Sequence, residues 1–181
     1  MSVLGLDEVL KRVKEENLIE NLGERELNNP EGVGVDLRLG EVYEIVEGGA
    51  FIEGDRQQAL GNRKGVKTQK IEGAEIVIKP GDYFLVTTME TLNTPKDLMP
   101  IVYSRSSLFR AGLLLLNTKT DPGYKGKLTM GLKNLSAFEV KLQIGARICN
   151  LVFHKIDGEI VEYRGQHQGG RITPEKEEKQ V

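Results

Sequence analysis

Residues 75–88 read Glu75-Ile76-Val77-Ile78-Lys79-Pro80-Gly81-Asp82-Tyr83-Phe84-Leu85-Val86-Thr87-Thr88. Two runs of β-branched, apolar and aromatic residues flank a Pro-Gly pair. Proline presets φ at the first turn position and glycine accepts positive φ at the next, so the segment predicts strand, reversal, strand. The same pattern extends in both directions. Upstream lie Val35–Leu39 and Val42–Val46. Downstream lie Ile101–Tyr103, Leu113–Thr118, Lys127–Lys133, Phe138–Leu142, Arg147–His154 and Ile160–Tyr163. Glu47-Gly48-Gly49, Asp121-Pro122-Gly123 and Asp157-Gly158 mark further turns. Helical spacing is confined to Asp7–Glu16, where Leu6, Val9, Leu10 and Val13 recur and Asp7 or Ser2 is the expected cap. Closely spaced short strands behind one short N-terminal helix predict a mainly β domain: a sandwich, a jelly roll or a barrel.

The chain has 181 residues, enough for one domain with a substantial core, expected over residues 1–173. Pro174 to Val181 is charged and predicts a flexible tail. A net charge of −2 argues against a dedicated nucleic-acid surface. The basic run from Arg56 to Lys70 contains no aromatics and reads as a solvated loop. Cys149 is the single cysteine and sits in an apolar run, so it predicts a buried hydrophobe and a reducing compartment, with cytoplasmic location expected. No apolar run reaches bilayer length and no signal-peptide core opens the sequence, so no membrane role is expected. One cysteine and two histidines, His154 and His167, do not make a zinc site. A metal here would be a hard cation on oxygen ligands, Mg²⁺ being the natural candidate.

Three segments carry candidate chemistry. Ser104-Arg105-Ser106-Ser107-Leu108 joins a guanidinium to hydroxyls, which suits a phosphate, and Arg110 follows one turn later. Equally, a serine there can simply cap a turn. Thr120-Asp121-Pro122-Gly123-Tyr124 holds a carboxylate and an aromatic ring on a turn. Asp121 is the candidate general base, although Asp-Pro-Gly alone also reads as a plain turn. Asp36 in Val35-Asp36-Leu37-Arg38-Leu39 shares a strand face with Arg38, which on its own reads as a surface ion pair. Asn150, Tyr163, Gln166, Gln168 and Arg171 follow in or after the last strands.

Taken in order, Val35-Asp36-Leu37-Arg38-Leu39-Gly40, Arg105-Ser106-Ser107-Leu108, Asp121-Pro122-Gly123-Tyr124-Lys125-Gly126 and Gly145–Phe153 resemble the successive motifs of the dUTPase / dCTP deaminase superfamily. The helix, the Lys79–Asp82 turn and Tyr163-Arg164-Gly165-Gln166 are similar to its dCTP deaminase-like branch. The resemblance implies a distorted β-barrel or jelly roll, a homotrimer with active sites between subunits, and a pyrimidine deoxynucleoside triphosphate as substrate. It implies that Asp121 activates water, that Tyr124 stacks on the deoxyribose, and that Arg105, Ser106 and Ser107 hold the triphosphate. Arg110, Thr120, Asn150, Tyr163, Gln168 and Arg171 would complete the substrate contacts, and Asp36 would reach the Mg²⁺ shell through water.

The sequence also departs from the family pattern. The resemblance implies a proton-shuttling Glu on the strand after the turn, where this chain has Gly131. Asn150 stands where a longer Gln is usual, and Gln166–Thr173 replaces a glycine-rich closing motif. From Gly131 the expectation is a Mg²⁺-dependent dUTP diphosphatase, giving dUMP and pyrophosphate without dCTP deamination. The alternatives are a dCTP deaminase, alone or bifunctional, and a silent nucleotide-binding member of the same fold.

Overall fold

The structure, a computed structural model, describes residues 2–48, 66–165 and 167–172. In chain order its elements are α1 (Leu6–Glu16), β1 (Ile19–Glu20), α2 (Glu24–Asn28), β2 (Val35–Glu47), β3 (Lys67–Ile71), β4 (Glu75–Ile78), β5 (Tyr83–Asn93), β6 (Leu98–Ser104), α3 (Ser106–Arg110), β7 (Leu113–Leu116), β8 (Lys125–Asn134), β9 (Val140–Gln143) and β10 (Arg147–Lys155). One eight-stranded sheet runs β6-β10-β2-β5-β8-β7, with β1 added to β5 and β3 to β2, while β4 and β9 form a separate pair. The architecture is mainly β and barrel-like, as expected.

The interior is made by strand alternation. Val35, Leu37 and Leu39 of β2, Phe84 and Val86 of β5, Leu128, Met130 and Leu132 of β8, and Ile148, Leu151 and Phe153 of β10 are all buried in one cluster. Cys149 is buried with them, as its apolar run predicts. Burial pushes its thiol up to about 12, so it stays a thiol. An isolated eleven-residue helix is marginal in water; α1 is held by Val9 in the core and by Arg12, whose guanidinium donates to both oxygens of Asp97 at 3.0 and 2.7 Å.

Several elements differ from the sequence expectation for identifiable reasons. Gly5, not Asp7 or Ser2, caps α1, and no side chain accepts there. The runs 35–39 and 42–46 join into the single strand β2, with a register shift between Leu39 and Val42. The shift falls at Gly40, where a Cβ would stand 2.7 Å from the Thr88 carbonyl oxygen, so the two backbones approach too closely for a side chain. β3 forms inside the polar stretch read as a loop, because cross-strand pairing with Val42–Glu47 overrides its composition. The run 160–163 is not a strand. Instead the Tyr163 N–H donates to the Pro122 carbonyl at 2.7 Å, which lays the segment against the Asp121 turn. Arg56, Arg63, Lys64, Gln166 and the 174–181 tail lie outside the described residues. Among the described residues, no helix is long and apolar enough to cross a membrane.

Candidate functional site

The residues singled out from the sequence gather in two places. The first is built on the Asp121 turn. Gly123 has φ +83° after Pro122, and the Tyr124 N–H donates back to the Asp121 carbonyl at 3.2 Å, the geometry a Pro-Gly reversal requires. The turn is tied to β6 through the Thr120 N–H, which donates to Pro100 at 3.0 Å, and to the Thr94 carbonyl through Gly123 at 2.9 Å. Tyr124 is buried, donates from its hydroxyl to the Lys127 carbonyl at 2.6 Å, and meets Tyr163 edge-on at 5.4 Å between centroids. Burial, then the neighbouring Tyr163, pushes its phenol up to about 12, so it remains neutral.

Beside this turn lies a cavity of about 400 Å³, lined by Leu85, Thr118, Lys119, Thr120, Asp121, Tyr124, Leu128, Thr129, Tyr163, His167, Arg171 and Ile172. Apolar walls with a few converging polar groups are the usual make-up of a small-molecule site. Asp121 is the one carboxylate among these lining residues, and the Lys119 ammonium is paired directly with it. Four expected residues, Thr120, Asp121, Tyr124 and Tyr163, therefore come together, with Arg171 at the same wall. Lys119, Thr129 and His167 were not read as site residues. Lys119 stands two residues before Asp121, Thr129 comes in on β8, and His167 comes in with the segment after β10.

Gln168 plays a different part from the substrate contact expected of it. Its side-chain carbonyl accepts the Lys125 N–H and its amide donates to the Gly123 carbonyl, both at 2.9 Å. Both ends are spent on holding the turn. Backbone packing reinforces this, since a Cβ at Gly126 would lie 2.4 Å from the Gly170 nitrogen. Residues 167–170 thus brace the Asp121 turn from the C-terminal side.

The second cluster surrounds Asp36. Its carboxylate pairs directly with Arg105, accepts from Arg147 at 2.9 Å and from the Asn150 amide at 3.0 Å, and lies 4.0 Å from Arg25. Buried Glu26 accepts the Asp36 N–H at 3.1 Å and pairs with Arg25 at 2.8 Å. Arg38 instead binds Glu90 at 2.7 Å, so the surface Asp36–Arg38 pair does not form. Burial, then Arg147 and Arg25, lowers the proton affinity of Arg105, which nonetheless stays charged as guanidinium does. Arg25, Arg105 and Arg147 gather with Asp36, Glu26 and Glu31, and the Arg105 guanidinium lies in the chain directly before the exposed, hydroxyl-bearing Ser106 and Ser107. That suits an anion. Arg110 lies at the other end of the same short helix, 6.0 Å from the Phe109 ring.

Asp36 spends one oxygen on Arg105 and Arg147 and the other on Asn150, which gives it a part in holding Arg105 in place. Among the described residues no group of three or more His, Cys, Asp or Glu side chains gathers as a protein-held metal would need. The cavity at Asp121 contains none of Arg105, Ser106, Ser107, Arg110 or Asn150. Asp121 adjoins the Pro100 end of β6 and Arg105 follows its other end, about 16 Å away along the strand.

The dCTP deaminase-like family model matches residues 3–156. The chain is 37% identical over 141 residues to a protein of Sulfurihydrogenibium sp. named dCTP deaminase, dUMP-forming, covering 77% of each. It is 31% identical over 173 residues to a dCTP deaminase of Halorubrum lacusprofundi, covering 93% of this chain and 85% of that one. A solved dCTP deaminase from Agrobacterium tumefaciens superposes with a TM-score of 0.64 at 20% identity, over 86% of this chain and 48% of that one. The chain thus spans about half the length of that structure. A dUTPase of phage phi11 superposes with a TM-score of 0.51 at 15% identity, covering 80% of this chain and 94% of that one. These two likenesses show the fold. The expectation of dUTP hydrolysis without deamination is overturned, because relatives at 31–37% identity carry the deaminase name. Gly131 does lack a side chain that could carry a proton. Reading one position in isolation gave too much weight to that gap, since the folded cavity gathers Asp121, Lys119, His167 and Arg171 from elsewhere in the chain.

Proposed function

Since the chain belongs to the dCTP deaminase-like family, we propose that it is an enzyme of pyrimidine deoxynucleotide metabolism that deaminates dCTP. The reaction adds water across C4 of the cytosine ring and expels ammonia, leaving a uracil nucleotide. The observation that carries this reading is a single carboxylate, Asp121, facing an aromatic-walled cavity of about 400 Å³. In this proposal Asp121 accepts the proton of the attacking water, and Lys119 keeps the carboxylate aimed. Tyr124 and Tyr163 give the sugar and base an apolar wall with no competing charge. Arg171 supplies cationic character at the same wall.

The Arg105 cluster is proposed as the triphosphate grip. Its separation from Asp121 within one chain supports a shared site, in which Arg105, Ser106 and Ser107 of one copy meet the Asp121 cavity of another. The expected assembly is a homotrimer, the closed symmetry in which each such interface is the same. Proton transfer and orientation by these side chains need no protein-held metal, and Asp36 is assigned to holding Arg105.

The test is incubation of purified protein with dCTP and dUTP separately, with release of ammonia and pyrophosphate followed. Ammonia from dCTP is expected. Light scattering should give three times the chain mass, and a monomer would remove the shared site.

A further inference from the structure

The segment that follows β10 returns across the Asp121 turn. The Tyr163 N–H donates to the Pro122 carbonyl at 2.7 Å, and a Cβ at Gly123 would lie 3.0 Å from the Glu162 Cβ. The Tyr163 ring meets Tyr124 edge-on and forms part of the cavity wall. Two residues further on stands Gly165, whose carbonyl accepts the Gln168 N–H at 3.3 Å.

The backbone does not require glycine at 165. Gly123, Gly126, Gly169 and Gly170 in the same region have positive φ, and Gly165 does not. Space requires it instead. A Cβ at 165 would fall on the Tyr163 hydroxyl oxygen and lie 2.5 Å from Cζ and 2.8 Å from Cε2, so its three nearest neighbours would all belong to that one ring. Tyr163 thus folds back over its own chain, and the missing side chain at 165 is the seat of the ring. The hydroxyl end of a tyrosine is the free end of a rotatable side chain, whereas the backbone here is tied to Pro122 and Gln168. A side chain at 165 therefore displaces the ring rather than the chain. A ring in the cavity wall cannot move without changing the cavity.

We propose that Gly165 is a positioning residue for the reaction: it fixes where the Tyr163 ring stands and so sets the width of the cavity that takes the sugar and base. This role rests on the pyrimidine nucleotide reading given above. Gly165 itself touches no substrate. Its whole effect passes through Tyr163, which a role in the backbone turn would not require.

Gly165→Ala, Tyr163→Ala and the double variant are compared with wild type by dCTP turnover, thermal unfolding and near-ultraviolet circular dichroism, in which the chain's five tyrosines contribute and no tryptophan does. Gly165→Ala is expected to raise KM for dCTP about tenfold, with kcat changed less than about twofold. It should alter the tyrosine signal and leave the unfolding temperature unchanged. In the Tyr163→Ala background the same substitution should add nothing, the non-additivity of two residues that act as one. An equal rise in both backgrounds assigns Gly165 to the backbone turn and overturns the proposal, as does an unchanged KM in Gly165→Ala. If wild-type protein leaves dCTP unaltered, the deaminase reading fails; an unchanged tyrosine signal in Gly165→Ala overturns the seating of Tyr163 whatever the substrate.

Discussion

The Asp36 carboxylate of β2 and the Arg105 guanidinium at the end of β6 form a buried ion pair, although 69 positions separate them in the chain (105 − 36). β10 lies between the two strands and contributes Arg147 and Asn150 to the same carboxylate. Asp36→Asn keeps the shape and removes the charge, leaving Arg105 without a carboxylate partner and Arg147 with only Glu26 at 4.0 Å. Breaking a fully buried pair costs about 3–5 kcal/mol. Arg105 and Arg147 retain 28% and 40% side-chain exposure, so solvent screening reduces the expected loss to about 1–3 kcal/mol. A lower urea midpoint together with weaker triphosphate binding is expected. Weaker binding reflects an Arg105 that is no longer held in place.

Asp121→Asn should lower turnover by about 10²–10⁴-fold, the range for loss of a positioned acid–base group. Asp121 is half exposed on its turn, so the unfolding temperature should not change. Nucleotide affinity, read by calorimetry, should be retained. Full activity in this variant would reduce Asp121 to a turn residue.

Gln168→Ala leaves the Lys125 N–H and the Gly123 carbonyl without their side-chain partners. Each lost hydrogen bond is worth about 0.5–1.5 kcal/mol. The turn should loosen locally, so kcat should fall several-fold while global stability changes little. Hydrogen exchange at Gly123–Lys125 would register the loosening directly. Unaltered exchange there would mean the brace is redundant.

Asp97 supplies a pH-dependent term. The hydrogen bond from Arg12 holds its carboxyl below the usual range, against the opposing effect of burial. A depressed folded value means that the stabilisation is present above the unfolded value near 3.9 and fades as pH falls through the folded one. Asp97→Asn should therefore be less stable than wild type at pH 7, and the gap should be smaller at an acid pH below the unfolded value. Urea midpoints at the two pH values check this. A constant gap would assign the effect to packing of α1 instead.

Much of the sheet is legible in the sequence, since alternation and turn residues are local signals. The Lys79–Asp82 and Asp121–Gly123 reversals form where the Pro-Gly pairs require them. β3 and the bulge at Gly40 are not legible, because each depends on which strand lies alongside. The site is legible in part. Asp121 and Tyr124 announce themselves by their turn, but the buried state of Asp36 depends on Arg105 and Arg147 arriving from distant strands. Gln168 looked like a ligand contact because its partners are main-chain groups, which carry no sequence signature. Gly131 could be read from sequence only as a missing side chain; in the fold a Cβ there would lie 2.5 Å from the Tyr83 hydroxyl oxygen.

The most direct test of the central claim is product analysis after incubating the purified protein with dCTP. Conversion to a uracil nucleotide with one ammonia released per turnover is the expected result, and its rate should fall by about 10²–10⁴-fold in Asp121→Asn. Intact dCTP, in the presence of a correctly folded protein that still binds it, would contradict the account.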